Sequence, residues 1–335
     1  MSFKTFDPED FVVSSDSIVS TLWSTDSPTL TTFFTSSIQE SNSSGDYYLS
    51  VYQTASTDDN AAVQFDIAYA DILGSGSTLY NSAVPENSYT KTIYGQYRAL
   101  ILEDENASFI FGTDTNVITG SNFWVISVER ARYKESLFPG SLNLTLSGSG
   151  GTLKLTDNSN DVSINTFIGS TRVFQLVSGS NGSAIAGGGY VAGSGSYGLV
   201  FPDLGTILLN PSAISQSIQV APSRSNNSDG FNPRRLYDAV SLGASFSLNS
   251  QETLTSDYIF VRARNSEFNY SENPTFISGS TGEVIYDEFI NSPQTYITTV
   301  GMYNDQNELL AVAKLSRPLI KDFTKEALVR VKLDF

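Results

Sequence analysis

The regular alternation of apolar and polar positions is clearest in the last forty residues. Residues 295–303 and 308–315 read as two strands flanking the polar turn 304–307. Residues 326–335 alternate without a break. Val329, Val331, Leu333 and Phe335 fall on one face, and Arg330, Lys332 and Asp334 on the other. The pattern predicts a strand built into a sheet up to the final residue. Upstream, Val63, Phe65, Ile67 and Tyr69 alternate with smaller or polar residues, as in a half-buried strand. Further strands are expected over 31–35, 47–52, 108–111, 122–128 and 257–264. Residues 141–147 and 151–156 predict a hairpin, and 275–278 with 283–286 a second one across 279–282. Turns are expected at 43–46 and 57–60. One helix stands out over 86–102. Ile93, Tyr97, Leu100 and Ile101 share a face at i, i+4, i+7 and i+8, although Gly95 weakens it by about 1 kcal/mol relative to Ala.

These elements predict a mainly β fold, mixed β with one or two peripheral helices, in β-sandwich-like domains rather than alternating βαβ units. Four segments are expected: an N-terminal arm over 1–20, a β-rich domain over 21–156 carrying the helix near 88–102, a Gly/Ser/Asn-rich insertion or second β domain over 157–246, and a C-terminal β domain over 247–335. The run 186–198 is the extreme of the Gly-rich region.

Composition narrows the chemistry. Charged residues make up 16% of the 335, against ~25% in ordinary soluble domains. The surface must therefore be largely Ser, Thr, Asn and Gly, which suits burial against partners. Formal net charge is -16, which repels phosphate backbones and argues against nucleic acid as a partner. The chain has neither Cys nor His, so disulfides, thiolate or imidazole metal sites and Ser-His-Asp or Cys-His catalysis are excluded. No apolar run approaches ~20 residues, so no membrane insertion is expected. The first residues lack the apolar core of a secretory signal.

Few constellations suggest chemistry. Residues 193–198 match G-x-G-x-x-G, but glycines precede them and Pro202 follows, so a loop ordered by partners is the better reading. Asp287 with Glu288, or Asp257 with Glu267, could serve a glycosidase, but acidic neighbours are common and Trp is scarce. Residues 157–161 offer closely spaced oxygens for Ca²⁺ but lack the EF-hand Gly and Glu, and a plain turn is favoured. Arg130, Arg132 and Lys134 would share one face if the strand over 122–128 continues. They read either as a charged, aggregation-resistant edge or as a docking patch for an acidic neighbour. Arg234 and Arg235 raise the same choice, as do Arg262 and Arg264. No cofactor is expected.

The segment 296–315 resembles a motif of tail and baseplate proteins of tailed bacteriophages: an aromatic-Ile strand, Val300-Gly301-Met302-Tyr303, an acidic turn, then Leu309-Leu310-Ala311-Val312-Ala313. The block from about Tyr258 to Phe335 is similar to virion structural proteins of T4-like phages, the cyanophage type in particular. So are 93–98, 109–111, 123–126, 130–134 and 139–140. The resemblance covers about half the chain. It implies a non-enzymatic virion component, made in the bacterial host cytoplasm and located in the tail or baseplate. Its partners would be other virion structural proteins and copies of itself. The candidate interface residues are Arg130, Arg132, Lys134, Gly188, Tyr190, Tyr197, Arg234, Arg235, Val329 and Phe335. A neck or head position, or a receptor-binding or glycan-active tail adhesin, are the alternatives.

Overall fold

The computed structural model describes residues 4–36, 47–78, 80–81, 83–84, 88–112, 117–162, 166–186, 188–224, 230–271 and 273–334. The chain divides into two compact units: Ile18–Glu252, and Met1–Ser17 together with Thr253–Phe335. The fold is mainly β, as the alternation predicts.

The larger unit is built on one antiparallel sheet. After strand β1 (Phe11–Thr21), shared between the two units, the chain forms β2 (Tyr48–Tyr52) and β3 (Val63–Asp71). Helix α1 (Tyr89–Leu102) precedes β4 (Asn122–Val128). A meander follows: β5 (Asn143–Gly148), β6 (Gly151–Asp157), β7 (Thr171–Ser180), β8 (Gly198–Phe201) and β9 (Thr206–Leu209). In space the order is β5-β6-β7-β8-β9-β4-β3-β2, so the meander ends beside β4. Its last strand places Leu208 opposite Val125 and Leu209 opposite Trp124. The expected 141–156 hairpin is present, with Gly148 opposite Gly151.

This order corrects the domain reading. Residues 157–246 are neither an insertion nor a separate domain, because β7, β8 and β9 supply the middle of the sheet. The rich Gly and Ser content lies in the turns between these strands, while the strands themselves are buried runs such as Gly198–Phe201 and Thr206–Leu209.

Helices α2 (Pro211–Ile218) and α3 (Asn232–Gly243) cover one sheet face. Each carries a proline in its first turn, where the missing N–H costs nothing. Asn210 caps α2 by accepting from the Ser212 N–H at 3.1 Å. Ile214, Leu236 and Val240 join Phe65, Ile67, Trp124, Leu144 and Leu155 in the main core. Gly243 lets α3 approach β5: a Cβ there would collide with the Thr145 carbonyl oxygen. Both buried indoles are satisfied, with Trp124 Nε1 donating to Asn232 O at 2.9 Å and Trp23 Nε1 to Phe246 O at 3.0 Å.

The opposite face carries α1 and a second core of Tyr94, Phe109, Phe123, Leu199 and Phe201. The expected helix is therefore real, and β3 is covered on both sides rather than half-buried. The predicted start residues 85–87 and the turn 43–46 lie outside the described residues. The turn near 57–60 is present, held by Asp58 Oδ1 accepting from the Asn60 N–H at 2.8 Å.

In the smaller unit, β1 and β13 (Ala327–Asp334) flank the fifteen-residue β10 (Asn249–Ala263). β11 (Thr295–Tyr303) and β12 (Leu309–Lys321) form a separate two-stranded ribbon. Ile259, Val329 and Val331 of the sheet pack with Met302, and Val300, Ala311 and Ala313 close around them. The ladder is irregular between Ile297 and Thr299, where β12 takes up extra residues around Pro318. The expected arm 1–20 is thus no arm: β1 is an outer strand of this sheet. The 275–286 hairpin shrinks to a single bridge between Ile277 and Val284.

Candidate functional site

The best-formed concavity lies in the larger unit, between α1 and the sheet, and holds about 550 Å³. That falls within the usual range for small-ligand sites, ~300–1,000 Å³. Its floor follows from strand register. Ser50 of β2 stands opposite Asp66 of β3, Asp66 opposite Ser127 of β4, and Ser127 opposite Thr206 of β9. Period two puts this polar row on the α1 side, beside an otherwise apolar core. Tyr89 and Tyr97 of α1, with Tyr47 and Tyr48, wall the groove. The Tyr47 and Tyr89 ring centroids are 4.3 Å apart at 58°.

Asp66 is the unusual member. Its side chain bonds Ser50, yet Oδ1 is buried and has no hydrogen-bond partner. Burial pushes its carboxyl above the ordinary range, opposed by the Ser50 bond and reinforced by the negative charge of Glu129. Burial likewise raises the Tyr97 phenol, with Ser127 bonding it and Asp66 adding to the rise. Among the described residues no lysine or arginine lines the groove.

A smaller hollow of about 390 Å³ lies in the other unit, among Phe276, Tyr286, Phe289 and Tyr296. Beside it, the ribbon exposes several large apolar side chains, with Thr299, Lys314 and Ser316 between its two ends. Leu310 is 68% exposed, Val312 56% and Tyr296 58%, with Leu309 and Tyr303 also in solvent.

Most residues singled out from the sequence fall elsewhere. Arg130, Arg132 and Lys134 do not share a strand face, because β4 ends at Val128 and Arg130–Arg132 form a 3-10 turn. Arg130 donates to Tyr133 O at 2.7 Å and stacks over that ring at 4.6 Å. Arg132 Nε is buried, whereas Lys134 reaches Glu252 only at 3.9 Å. Arg234 sits on α3, paired with Asp238 at 3.0 Å and lying over Tyr237. Arg235 bonds Asn232 Oδ1 at 3.4 Å. Arg130, Arg234 and Arg235 are engaged within their own chain.

The Gly-rich loop is also engaged. Val191 bridges Gly195, the Gly189 carbonyl accepts from the Ser178 N–H at 2.9 Å, and Tyr197 is buried with its hydroxyl 2.8 Å from Ser217 Oγ. Gly195 has φ +76°, and a Cβ there would meet the Phe111 carbonyl. The loop is thus held by contacts within its own chain, which corrects the reading of a loop ordered by partners. Only Gly188 and Tyr190 of the residues singled out there face solvent; Gly187 lies outside the described residues. Val329 is buried in the smaller unit's core rather than offered to a neighbour, and Phe335 lies outside the described residues.

The acidic candidates lie apart from the groove, with Asp257 on β10 opposite Leu333. Asp287 and Glu288 are exposed neighbours in a short helix, and Glu267 is tied to Lys4 at 3.0 Å. Asp157, the first residue of the suggested Ca²⁺ turn, is buried and accepts from the Gly140 and Ser159 N–H groups. Among the described residues no group of three or more acidic side chains could hold a metal ion, and no helix is long and apolar enough to cross a membrane. The groove residues escaped notice because Asp66 occupies an ordinary polar position of an alternating strand. Its one signal is a carboxylate at mid-strand, where a helix with an apolar stripe follows.

No protein-family model, curated protein or solved structure matches this chain.

Proposed function

We propose that the chain is a structural subunit of a tailed-phage virion, placed in the tail or baseplate and acting through contacts with other virion proteins and copies of itself. The observation that carries the reading is the outward face of the β11–β12 ribbon. Leu309, Leu310, Val312, Tyr296 and Tyr303 stand in solvent on two adjacent strands. Tyr303, Leu309, Leu310 and Val312 cluster at the turn end of the ribbon, and an exposed apolar cluster of this kind marks a contact surface. Covering one such side chain stabilises an assembly by about 1.5–3 kcal/mol. The phage-like segment 296–315 coincides with this ribbon. The absence of Cys and His and the low charge density fit a role in packing.

The test uses purified particles of the virus that encodes the chain. The wild-type chain is expected among the particle proteins, and Leu310→Asp/Val312→Asp is expected to fold normally but to be missing from particles. Particles without the wild-type chain would sink the proposal. Full incorporation of the double variant would remove the ribbon as its contact surface.

One observation favours a second reading, a receptor-binding tail adhesin. The α1 groove combines aromatic walls with a carboxylate, as a receptor cleft would.

A further inference from the structure

We propose that the groove beneath α1 is a binding site for an organic cation, an alkylammonium or guanidinium head group, held between tyrosine rings with Asp66 as its counter-ion. The inference rests on the groove alone and does not depend on the virion reading.

Three observations converge. First, Asp66 Oδ1 is buried without a hydrogen-bond donor. An acceptor left this way costs about 1–3 kcal/mol, so its retention calls for a reason. Second, among the described residues no basic side chain lines the groove, so no ammonium or guanidinium of that lining offsets the carboxylate. A sugar hydroxyl could satisfy the hydrogen bond but not the charge; a cation satisfies both. Third, Tyr47, Tyr48, Tyr89 and Tyr97 line the same groove as the carboxylate, and tyrosine rings attract cations. Tyr47 and Tyr48 are about half exposed and guard the entrance, whereas Tyr89 is buried beside them. The net charge of -16 also draws cations toward the molecule. Burial holds the Asp66 carboxyl high, and a bound cation would pull it back toward ionisation.

The head group could belong to a free amine or to a Lys or Arg side chain of a neighbouring protein, and the same experiment separates these sources. The full chain is titrated with n-butylammonium, with N-propylguanidinium, with a capped Gly-Arg-Gly peptide, and with neutral n-butanol and glucose. The amide resonances of Asp66, Gln96 and Ser127 report binding. Saturable shifts are expected with the cations, at least about tenfold stronger than with n-butanol. A peptide binding about tenfold more tightly than the bare guanidinium would assign the site to a chain-borne side chain; equal affinity would assign it to a free cation. Asp66→Asn, which keeps shape, should weaken the cations about tenfold. Tyr48→Ala, which alters an exposed ring, should weaken them several-fold while leaving the fold intact. Cation binding unchanged in Asp66→Asn would overturn the proposal. So would equal response to n-butanol, no saturable response to either cation, or glucose binding where the cations are silent. The last result would make the groove a carbohydrate site.

Discussion

Lys321 Nζ donates to Asn269 Oδ1 at 2.7 Å, at a position where Lys321 has no exposed surface. The same ammonium donates to the carbonyls of Asn265 and Asp322, at 3.1 and 3.0 Å. The end of β12 is thereby fastened to the loop that leaves β10. Buried ammonium groups persist only when their donors are matched, and here three oxygens match them. Replacing Lys321 with Met strands Asn269 Oδ1 and takes one donor each from Asn265 O and Asp322 O, which keep the Asn269 Nδ2 and Lys325 N–H donors. The expected cost is about 2–4 kcal/mol in the smaller unit, read from denaturant unfolding, with amides 265–269 losing exchange protection. An unchanged midpoint would refute the fastening role.

Asp66 makes stability depend on pH in a definite direction. Its folded carboxyl is held above the unfolded value of about 3.9 by burial, with Glu129 adding to the rise and Ser50 and the Tyr97 phenol packed nearby. A raised group contributes stability fully below the unfolded value and loses it as pH rises through the folded value. Asp66→Asn should therefore be more stable than wild type at pH 7, by about 1 kcal/mol. The gain should vanish as pH falls below about 4. Urea titrations of both proteins at pH 7 and pH 3.5 check this, and a gain that persists in acid would contradict it.

Arg224 holds the fully buried Asp71 carboxylate at 2.7 Å, while Asp71 Oδ1 accepts from the Leu73 and Ser75 N–H groups. Removing the guanidinium strands a buried charge. Arg224→Met should cost about 3–5 kcal/mol, and Asp71→Asn in the same background should restore part of it. Calorimetry of the single and double variants gives the coupling, and simple additivity would argue against the pair.

Gly195 and Gly193 both have positive φ, at +76° and +78°, but only Gly195 lies against other backbone. Gly193→Ala should cost about 1 kcal/mol from conformation alone. Gly195→Ala adds a collision with the Phe111 carbonyl and should lose a further 1–3 kcal/mol or so. Equal losses, measured by thermal unfolding, would show that the loop yields to the added methyl group.

The strands were legible wherever side chains alternate with period two. Val329 and Val331 point inward and Arg330 and Lys332 outward, as their spacing requires. Helix α1 was legible from Ile93, Tyr97 and Ile101. Helices α2 and α3 were not, because Ser and Asn dilute their apolar stripes and their prolines read as breaks; Pro211 and Pro233 in fact open the helices. The sheet order was also hidden. Strand β9 pairs with β4 across more than seventy residues of sequence, and no local pattern encodes that partner. The basic cluster at 130–134 was misplaced for a related reason, since nothing in its spacing announces that Glu129 ends the ladder. The groove depends on both kinds of hidden information: Asp66 becomes a partly buried carboxylate with one unpartnered oxygen only once β2, β4 and α1 surround it.

The position of β1 has a consequence for synthesis on the ribosome. Its first residues belong with 253–334, so they leave the exit tunnel long before the strand they must lie beside. At ~5–20 residues per second the wait lasts on the order of tens of seconds. Meanwhile Phe11, Val12 and Val13 have no β10 to pair with, a natural landing place for a chaperone and a point of risk when many copies are translated together.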